Sequence, residues 1–187
     1  EEDVNQKQID QFRQYLDLME NETRRTSRIV SNLLAFARQS KRAPKRLSIN
    51  RLIEKTLFLN SNLLKIDGVK VETQLDEELP DLLGSEDQLQ QVFMNLVSNS
   101  AEAMEPEGGR LTIQTNHLLR EDKIKITFSD TGPGIPKDDI PKLFEPFFTT
   151  KKKGKGVGLG LSVAYGIIQE HEGSIYVKSE IGRGTTF

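Results

Sequence analysis

The chain has 187 residues, 35% of them hydrophobic and 29% charged, with a formal net charge of −2 and no cysteine. This balance gives no general attraction to nucleic acid or anionic membrane, and a chain without cysteine has no disulfide and no thiolate metal site. No stretch reaches the about 18 consecutive apolar residues that a membrane helix needs. We therefore expect a cytoplasmic location and no membrane contact for these residues. Whether a longer parent protein is membrane-anchored stays open.

The first predicted element is one long helix over residues 8–38. Its seam residues recur at alternating spacings of four and three, which is a heptad pattern. A helix of this length with a single narrow stripe needs a partner helix. The alternatives are packing within one chain and a helical bundle, dimeric in one version, and the narrow seam favours the bundle. The seam consists of Phe12, Leu16, Met19, Thr23, Thr26, Val30, Leu33 and Ala37.

A basic linker over residues 39–46 precedes a region of different pattern. Ser85 is the predicted N-cap of the strongest helix there, and Gln88 stands in capping-box position. The predicted elements of this region are a helix over 49–64, a strand over 69–75 and a helix over 85–104.

The rest of the chain predicts a hairpin and a long functional loop. The strands are expected over 110–118 and 123–129, the loop over 130–160, a helix over 161–169 and a strand over 174–179. This order predicts an α+β fold. We expect a two-layer α/β sandwich, with helices on one face of a mixed, mostly antiparallel sheet, preceded by the long helix.

Three carboxamides form the first candidate binding feature. Gln91, Asn95 and Asn99 are spaced four apart and so form a column beside the apolar face of their helix. Amide oxygens can ligand Mg²⁺ and amide nitrogens can donate to phosphate. A solvated amide row is the alternative, and the column alone favours it.

A second candidate feature follows the second hairpin strand. Asp130 stands at the strand end, where a carboxylate can accept from an exocyclic amine, and Gly132 and Gly134 flank a proline so that the backbone can turn sharply beside a ligand. An ordinary strand-to-loop turn is the alternative.

The third feature is an aromatic cluster followed by a glycine- and lysine-rich segment that enters a helix. Glycine backbone N–H groups and a helix start favour phosphate binding, and the phenylalanines could anchor a mobile lid. Most of the lysines are expected to be solvated, with one touching a phosphate. Neither a P-loop nor a Rossmann turn is present, because no Gly-Lys-Ser/Thr occurs and the glycines alternate late in the chain. The residues concerned are Phe144, Phe147, Phe148, Lys151, Lys152, Lys153, Lys155, Gly154, Gly156, Gly158 and Gly160.

The last feature is the segment from Gly182 to Phe187, in which two glycines enter a strand. Thr185 could offer its hydroxyl to a ligand or to Asp130. A plain β-turn is the alternative.

Taken in order, an asparagine box, Asp-x-Gly-x-Gly, a phenylalanine box, Gly-x-Gly-x-Gly and Gly-x-Gly-Thr resemble the catalytic ATP-binding domain of sensor histidine kinases, within the superfamily of DNA gyrase, heat-shock chaperone and mismatch-repair ATPases. Pro-Phe-Phe-Thr-Thr-Lys and Gly-Leu-Gly-Leu-Ser resemble the nitrogen-regulation subtype. The resemblance implies two parts. Residues 1–43 are the second helix of a dimerisation hairpin with its linker, and residues 44–187 are the catalytic domain, with its C-terminal strand truncated.

The resemblance also implies roles. Asn99 would ligand the Mg²⁺ of Mg·ATP, with Asn95 beside it, and these two residues are the catalytic candidates. Asp130 would bind the adenine amino group. Gly132 and Gly134 would let the loop backbone run close past the adenine base, and Thr185 would lie near the base. Gly156, Gly158 and Gly160 would wrap the triphosphate. The remaining nucleotide-binding candidates are Ile135, Phe144, Phe148, Lys152, Val157 and Leu159.

Asn95 discriminates within the superfamily, because the hydrolysing members carry a glutamate there that activates water. Phosphoryl transfer to a neutral histidine needs no such base. Neither His117 nor His171 resembles the phosphoacceptor, and both are expected to be structural. We therefore expect the acceptor histidine on an upstream helix outside these residues.

These observations predict the ATP-dependent core of a two-component histidine kinase. Its expected partners are a response regulator receiver domain and a second copy through the helical hairpin. The alternatives are a catalytically silent ATP-binding regulatory module and an ATP hydrolase. Anti-sigma-factor serine kinases share the site but lack the heptad helix.

Overall fold

The computed structural model describes residues 44–150 and 157–187, together with residues 8–16, 18–20, 22, 23 and 26 near the N-terminus. The chain divides into two compact units. One contains residues 1–39 and 149–157, and the other contains residues 40–148 and 158–187. Among the described residues, no helix combines the length and apolarity that crossing a membrane demands.

The described N-terminal residues are helical, as the heptad pattern predicts for this part of the chain. Phe12, Leu16 and Met19 of the seam are 69%, 55% and 66% exposed. Thr23 and Thr26 donate their hydroxyls to the carbonyls four residues earlier. The seam positions Val30, Leu33 and Ala37 and the linker residues 39–43 lie outside the described residues.

The second unit is an α+β sandwich, which confirms the predicted fold class. Its helices pack on one face of the main sheet, where they enclose a single apolar core. Its strands are β1 Lys45–Leu47, β2 Val69–Gln74, β3 Leu82–Gly84, β4 Gly109–Leu118, β5 Lys123–Asp130, β6 Lys178–Glu180 and β7 Gly184–Thr186. Its helices are α1 Ile49–Leu59, α2 Ser61–Ile66, α3 Glu86–Ala103 and α4 Gly160–Glu170, with a short 3₁₀ turn at Ile140–Lys142.

The main sheet has five strands in the order β2-β4-β5-β7-β6. Only the β2–β4 pair is parallel, so the sheet is mixed and mostly antiparallel. Strands β1 and β3 form a separate antiparallel pair. The alternating pattern of β4 turns Leu111 and Ile113 fully inward, where they meet the apolar face of α3. This packing fixes α3 over the sheet and so positions the asparagine column.

The predicted helix over 49–64 is divided in two at Asn60, which corrects that prediction. Asn60 is buried, and its side-chain amide donates to the carbonyl of Thr56 at 2.8 Å. A side chain that bonds the preceding turn competes with the helical ladder. The helix therefore ends at Leu59, and α2 starts at Ser61.

Three further differences concern short strands. The linker prediction missed β1, and β3 was not predicted at all, because three-residue strands carry too little alternation to register. The strand predicted over 174–179 is present only as Lys178–Glu180, since its pairing with β7 spans three residues. The predicted hairpin and the helices over 85–104 and 161–169 are confirmed within a residue or two of their bounds.

Candidate functional site

The asparagine column lies on α3 as predicted, with Gln91, Asn95 and Asn99 each half-buried at the edge of the apolar face. Asn95 donates its side-chain amide to the carbonyl of Gly160 at 2.9 Å. This bond ties α3 to the first residue of α4, the helix that follows the glycine-rich segment. The nitrogen of Asn95 is engaged in this bond, and an amide ligates a cation through its oxygen.

Asp130 ends β5 beneath α3 and is 7% exposed. Its Oδ1 accepts two backbone hydrogen bonds, from the N–H groups of Gly132 at 2.9 Å and Thr185 at 3.1 Å. Its Oδ2 accepts only a long contact of 3.4 Å from the hydroxyl of Ser100. A carboxylate has about four acceptor positions, so Oδ2 keeps capacity for a donor from a ligand.

Burial raises the pKa of Asp130 above its usual range, and the hydrogen bonds from Gly132, Thr185 and Ser100 oppose that rise. Desolvation disfavours the ionised form of a carboxylate unless donors compensate for the lost water. Asp130 is therefore a buried acceptor that gains stabilisation when a donor-bearing ligand arrives. Such groups mark candidate binding sites.

Thr185 lies directly opposite Asp130 in the β5–β7 register. The prediction that its hydroxyl serves Asp130 is wrong, because the backbone N–H makes that bond. The hydroxyl instead lies 2.9 Å from the hydroxyl of Ser179 on the neighbouring strand β6. Sequence spacing could not show this pairing, since strand register decides which hydroxyls meet.

The glycines of this region are required by backbone packing. Gly134 has φ +77°, and a Cβ there would lie 2.2 Å from the carbonyl oxygen of Glu180. Gly184 has φ +107°, and a Cβ there would lie 2.0 Å from the carbonyl oxygen of Asp130. The loop after β5 and the β6–β7 hairpin thus approach each other at distances that exclude side chains. Ile135 joins the same contact through its N–H, which donates to Ser179 at 2.8 Å.

The phenylalanine segment is tied to the end of the glycine-rich segment. Phe147 donates its N–H to the carbonyl of Gly158 at 2.9 Å. Gly158 has φ +70°, and a Cβ there would lie 2.4 Å from the carbonyl oxygen of Phe148. Phe144 stacks on Tyr165 of α4 with ring centroids 5.4 Å apart. The phenylalanine segment thus contacts Gly158 and α4, while the predicted anchoring of a lid stays a prediction, since residues 151–156 lie outside the described residues and Phe147 is 65% exposed.

The structure does not test every predicted nucleotide contact. Lys152 and Gly156, with the rest of residues 151–156, are outside the described residues. Val157 is half-buried and belongs to the N-terminal unit. Two hydrogen bonds connect α3 to other predicted positions: Asn95 bonds Gly160, and Ser100 contacts Asp130. Five residues of helix separate Asn95 from Ser100, a rise of about 7.5 Å.

Two residues that the sequence analysis did not select belong to this site. Ser100 contacts Asp130, and Ser179 connects Thr185 to the loop at Ile135. The one available signal for Ser100 was its position on the inward face of α3, directly after Asn99. Nothing in the local pattern of β6 distinguishes Ser179.

The predicted capping box of α3 is not formed. Ser85 is the N-cap, but its side chain makes no capping hydrogen bond, and Gln88 donates to Glu170 at 2.6 Å. His171 accepts the N–H of Ser85 at 3.0 Å through Nε2, while Nδ1 contacts the carbonyl of Ile167 at 2.8 Å. The partners fix a neutral ring with its proton on Nδ1. The end of α4 is thereby joined to the start of α3, a structural role of the kind expected for His171.

His117 is also part of the scaffold. It lies in β4, its N–H donates to Asp76 at 3.2 Å, and its Nε2 is buried 3.5 Å from a carboxylate oxygen of Asp122.

Comparison with known proteins gives consistent matches. A model of the family described as histidine kinase-, DNA gyrase B- and HSP90-like ATPases matches residues 84–187, more than half of the chain. Sensor kinase CckA of Brucella abortus (strain 2308) is 38% identical over 191 residues, covering 94% of this chain and 20% of the relative. The chain thus spans about a fifth of that curated relative.

Solved structures show the same fold. Full-length ShkA in complex with AMPPNP superposes with a TM-score of 0.72 at 25% identity, covering 84% of this chain and 34% of ShkA. Histidine kinase ThkA in complex with the response regulator protein TrrA superposes with a TM-score of 0.69 at 25% identity, covering 92% of this chain and 48% of ThkA.

Proposed function

Because the chain belongs to the family of histidine kinase-, DNA gyrase B- and HSP90-like ATPases, we propose that it is the ATP-binding catalytic core of a two-component sensor histidine kinase. The observation that carries the proposal is that α3 holds both Gly160, through Asn95, and Asp130, through Ser100, which lies five positions further along the helix. This arrangement supports a buried acceptor for a base amine near the C-terminal end of α3 and a helix start suited to phosphate near the middle of α3.

The residues have defined tasks in this proposal. Asp130 accepts the adenine amino group through Oδ2. Asn95 and Asn99 supply amide oxygens, which are hard ligands of the kind Mg²⁺ prefers beside water and phosphate. A bound Mg²⁺ would neutralise charge on the transferring phosphoryl group. The start of α4 at Gly160 adds backbone N–H groups for the triphosphate.

The proposed acceptor is a histidine on an upstream helix, and the proposed partners are a second copy and a response regulator. The exposed seam residues Phe12, Leu16 and Met19 support a helical partner. The ThkA structure with TrrA supports a response regulator. The name of the relative CckA, a sensor kinase, supports the activity.

Nucleotide titration tests the proposal. Wild-type protein should bind Mg·ATP in calorimetry. Asp130→Asn should lose most of the affinity for Mg·ATP. The substitution removes the negative charge and replaces one acceptor oxygen by an NH2 group, which donates. Asp138→Asn, which changes an exposed carboxylate of the following loop, should bind as wild type. Equal affinity in the two variants would reject Asp130 as the base-recognition group.

The ATP hydrolase alternative makes a different prediction. A hydrolase needs a general base for water, and Asn95 is engaged through its amide by Gly160. We expect no steady release of phosphate from Mg·ATP by this chain. Release at many turnovers would favour the hydrolase, while ATP binding with neither release nor transfer would favour the silent regulatory module.

A further inference from the structure

Three side chains form a row across the inner face of the sheet at the base end of the candidate site. Asp130 on β5 is registered with Thr185 on β7, and Thr185 is registered with Ser179 on β6. Directly opposed residues place their side chains on the same face. Asp130 and Thr185 are 7% and 6% exposed, and Ser179 is half-buried. The row is therefore largely removed from bulk water.

The single proton of the Ser179 hydroxyl has a defined destination. Ser179 lies 3.0 Å from the carbonyl of Gly184, which can only accept, so Ser179 donates there. The N–H of Ile135 can only donate, and it reaches Ser179 at 2.8 Å. Ser179 thus has one acceptor position left, and the hydroxyl of Thr185 lies 2.9 Å away.

A hydroxyl pair at this distance needs one proton between the two oxygens. Since the Ser179 proton is directed to Gly184, the proton between them is that of Thr185. Thr185 therefore has no proton to offer a ligand and keeps only acceptor positions. Its neighbour Asp130 likewise offers an acceptor, through Oδ2.

We propose that Ser179 is a specificity-determining residue, which directs the Thr185 proton away from the ligand so that the base end of the site presents acceptors alone. This inference rests on the proposed function, because it assumes that a purine binds beside Asp130. Where these acceptors meet position 6 of the base, they favour a 6-amino group, which donates, over a 6-oxo group, which only accepts. A site with unpaired buried acceptors rejects a ligand that brings another acceptor.

ATP and inosine triphosphate provide the test, because they differ at position 6 and in the proton at N1 while keeping the same triphosphate. Calorimetry with Mg²⁺ on the full chain gives the ratio of the two dissociation constants. In wild type this ratio should favour ATP. Ser179→Ala frees the Thr185 hydroxyl to donate to a 6-oxo group. The preference for ATP over inosine triphosphate should therefore fall about fivefold, which is the effect of one neutral hydrogen bond.

The sheet supplies a matched control. Ser129 and Thr186 form a second hydroxyl pair at 2.8 Å, one residue along β5 and β7 and so on the opposite face. Ser129→Ala should keep the wild-type ratio. Ser179→Thr, which retains the hydroxyl, should keep it as well. The double variant Ser179→Ala/Thr185→Val should regain the wide ratio, because it has no freed proton.

The outcomes separate the inference from the proposed function. Absence of nucleotide binding by wild-type protein rejects the proposed function itself. If wild type binds ATP and the Ser179→Ala ratio is unchanged, or if Ser129→Ala narrows it equally, Ser179 is only structural. Narrowing that persists in the double variant also overturns the inference. Thermal unfolding of each variant verifies that the comparison is made on folded protein.

Discussion

Asn95 donates its side-chain amide to the carbonyl of Gly160 over 2.9 Å, so the helix that carries the asparagine column holds the first residue of α4. A Cβ at Gly160 would still clear the Asn95 side chain at 3.6 Å. The contact is therefore a hydrogen bond between two helices, made across the candidate phosphate end of the site.

Asn95→Asp tests this contact with an isosteric change. A carboxylate cannot donate, and it would face the carbonyl of Gly160. We expect the free energy of unfolding to fall by about 1–3 kcal/mol, measured by urea denaturation at neutral pH. Gln91→Glu is the control, since it makes the same change of charge one turn earlier in the column. Equal losses in the two variants would show that helix charge, rather than the bond to Gly160, sets the effect.

Asp130→Asn should separate stability from function. The pKa of Asp130 is raised by burial, so the folded protein binds this proton more tightly than the unfolded chain. Nucleotide-free Asp130→Asn should therefore be more stable than wild type at neutral pH, because it removes the cost of an ionised carboxylate in a buried position. Asparagine keeps an oxygen for the N–H groups of Gly132 and Thr185.

The pH dependence follows with a defined sign. For a carboxyl whose folded pKa is raised, the free energy of unfolding decreases as pH rises from the ordinary range, about 3.9, through the raised pKa. The stability advantage of Asp130→Asn should grow over that interval and level off above it. Denaturation at a series of pH values measures it. An advantage that shrinks as pH rises would mean that the carboxylate is stabilised by its donors.

Gly84 and His171 should be energetically coupled. A Cβ at Gly84 would lie 2.9 Å from Cδ2 of His171. Gly84→Ala should cost about 2 kcal/mol in the wild-type background and less than half of that in His171→Ala, where the ring is absent. A double-mutant cycle from urea denaturation gives the coupling. Strict additivity would show that the glycine is needed for another reason.

Gly134 and Gly182 make a matched pair. Both have φ +77°, but a Cβ at Gly134 would overlap the backbone of Glu180, whereas a Cβ at Gly182 meets nothing within 4 Å. Gly182→Ala should cost about 1–2 kcal/mol for left-handed backbone alone, and Gly134→Ala roughly 3 kcal/mol or more. Similar losses in thermal unfolding would contradict the close approach of the loop to the β6–β7 hairpin.

The reach of sequence reasoning differs between parts of this fold. The α3 helix, the β4–β5 hairpin and the placement of Asp130 at a strand end were predictable, because each is set by local periodicity or by the next few residues. The division at Asn60 was not, since it depends on a buried side chain that bonds its own preceding turn.

The site was predictable in composition and less so in its contacts. His171 replaces the expected capping box from 86 residues away, and Thr185 pairs with Ser179 because of strand register. Contacts of this kind form only when separate elements pack together, so no local sequence pattern predicts them.

Phosphoryl transfer in trans is the most direct measurement of the proposed kinase activity. The donor is this chain with radiolabelled Mg·ATP, and the acceptor is the full-length protein carrying Asp130→Asn, which we expect to bind ATP weakly. We predict acid-labile, alkali-stable label on the acceptor, as expected of phosphohistidine, and no label when the donor carries Asn99→Ala. A donor that binds ATP yet leaves the acceptor unlabelled, or label that survives acid, would contradict the account.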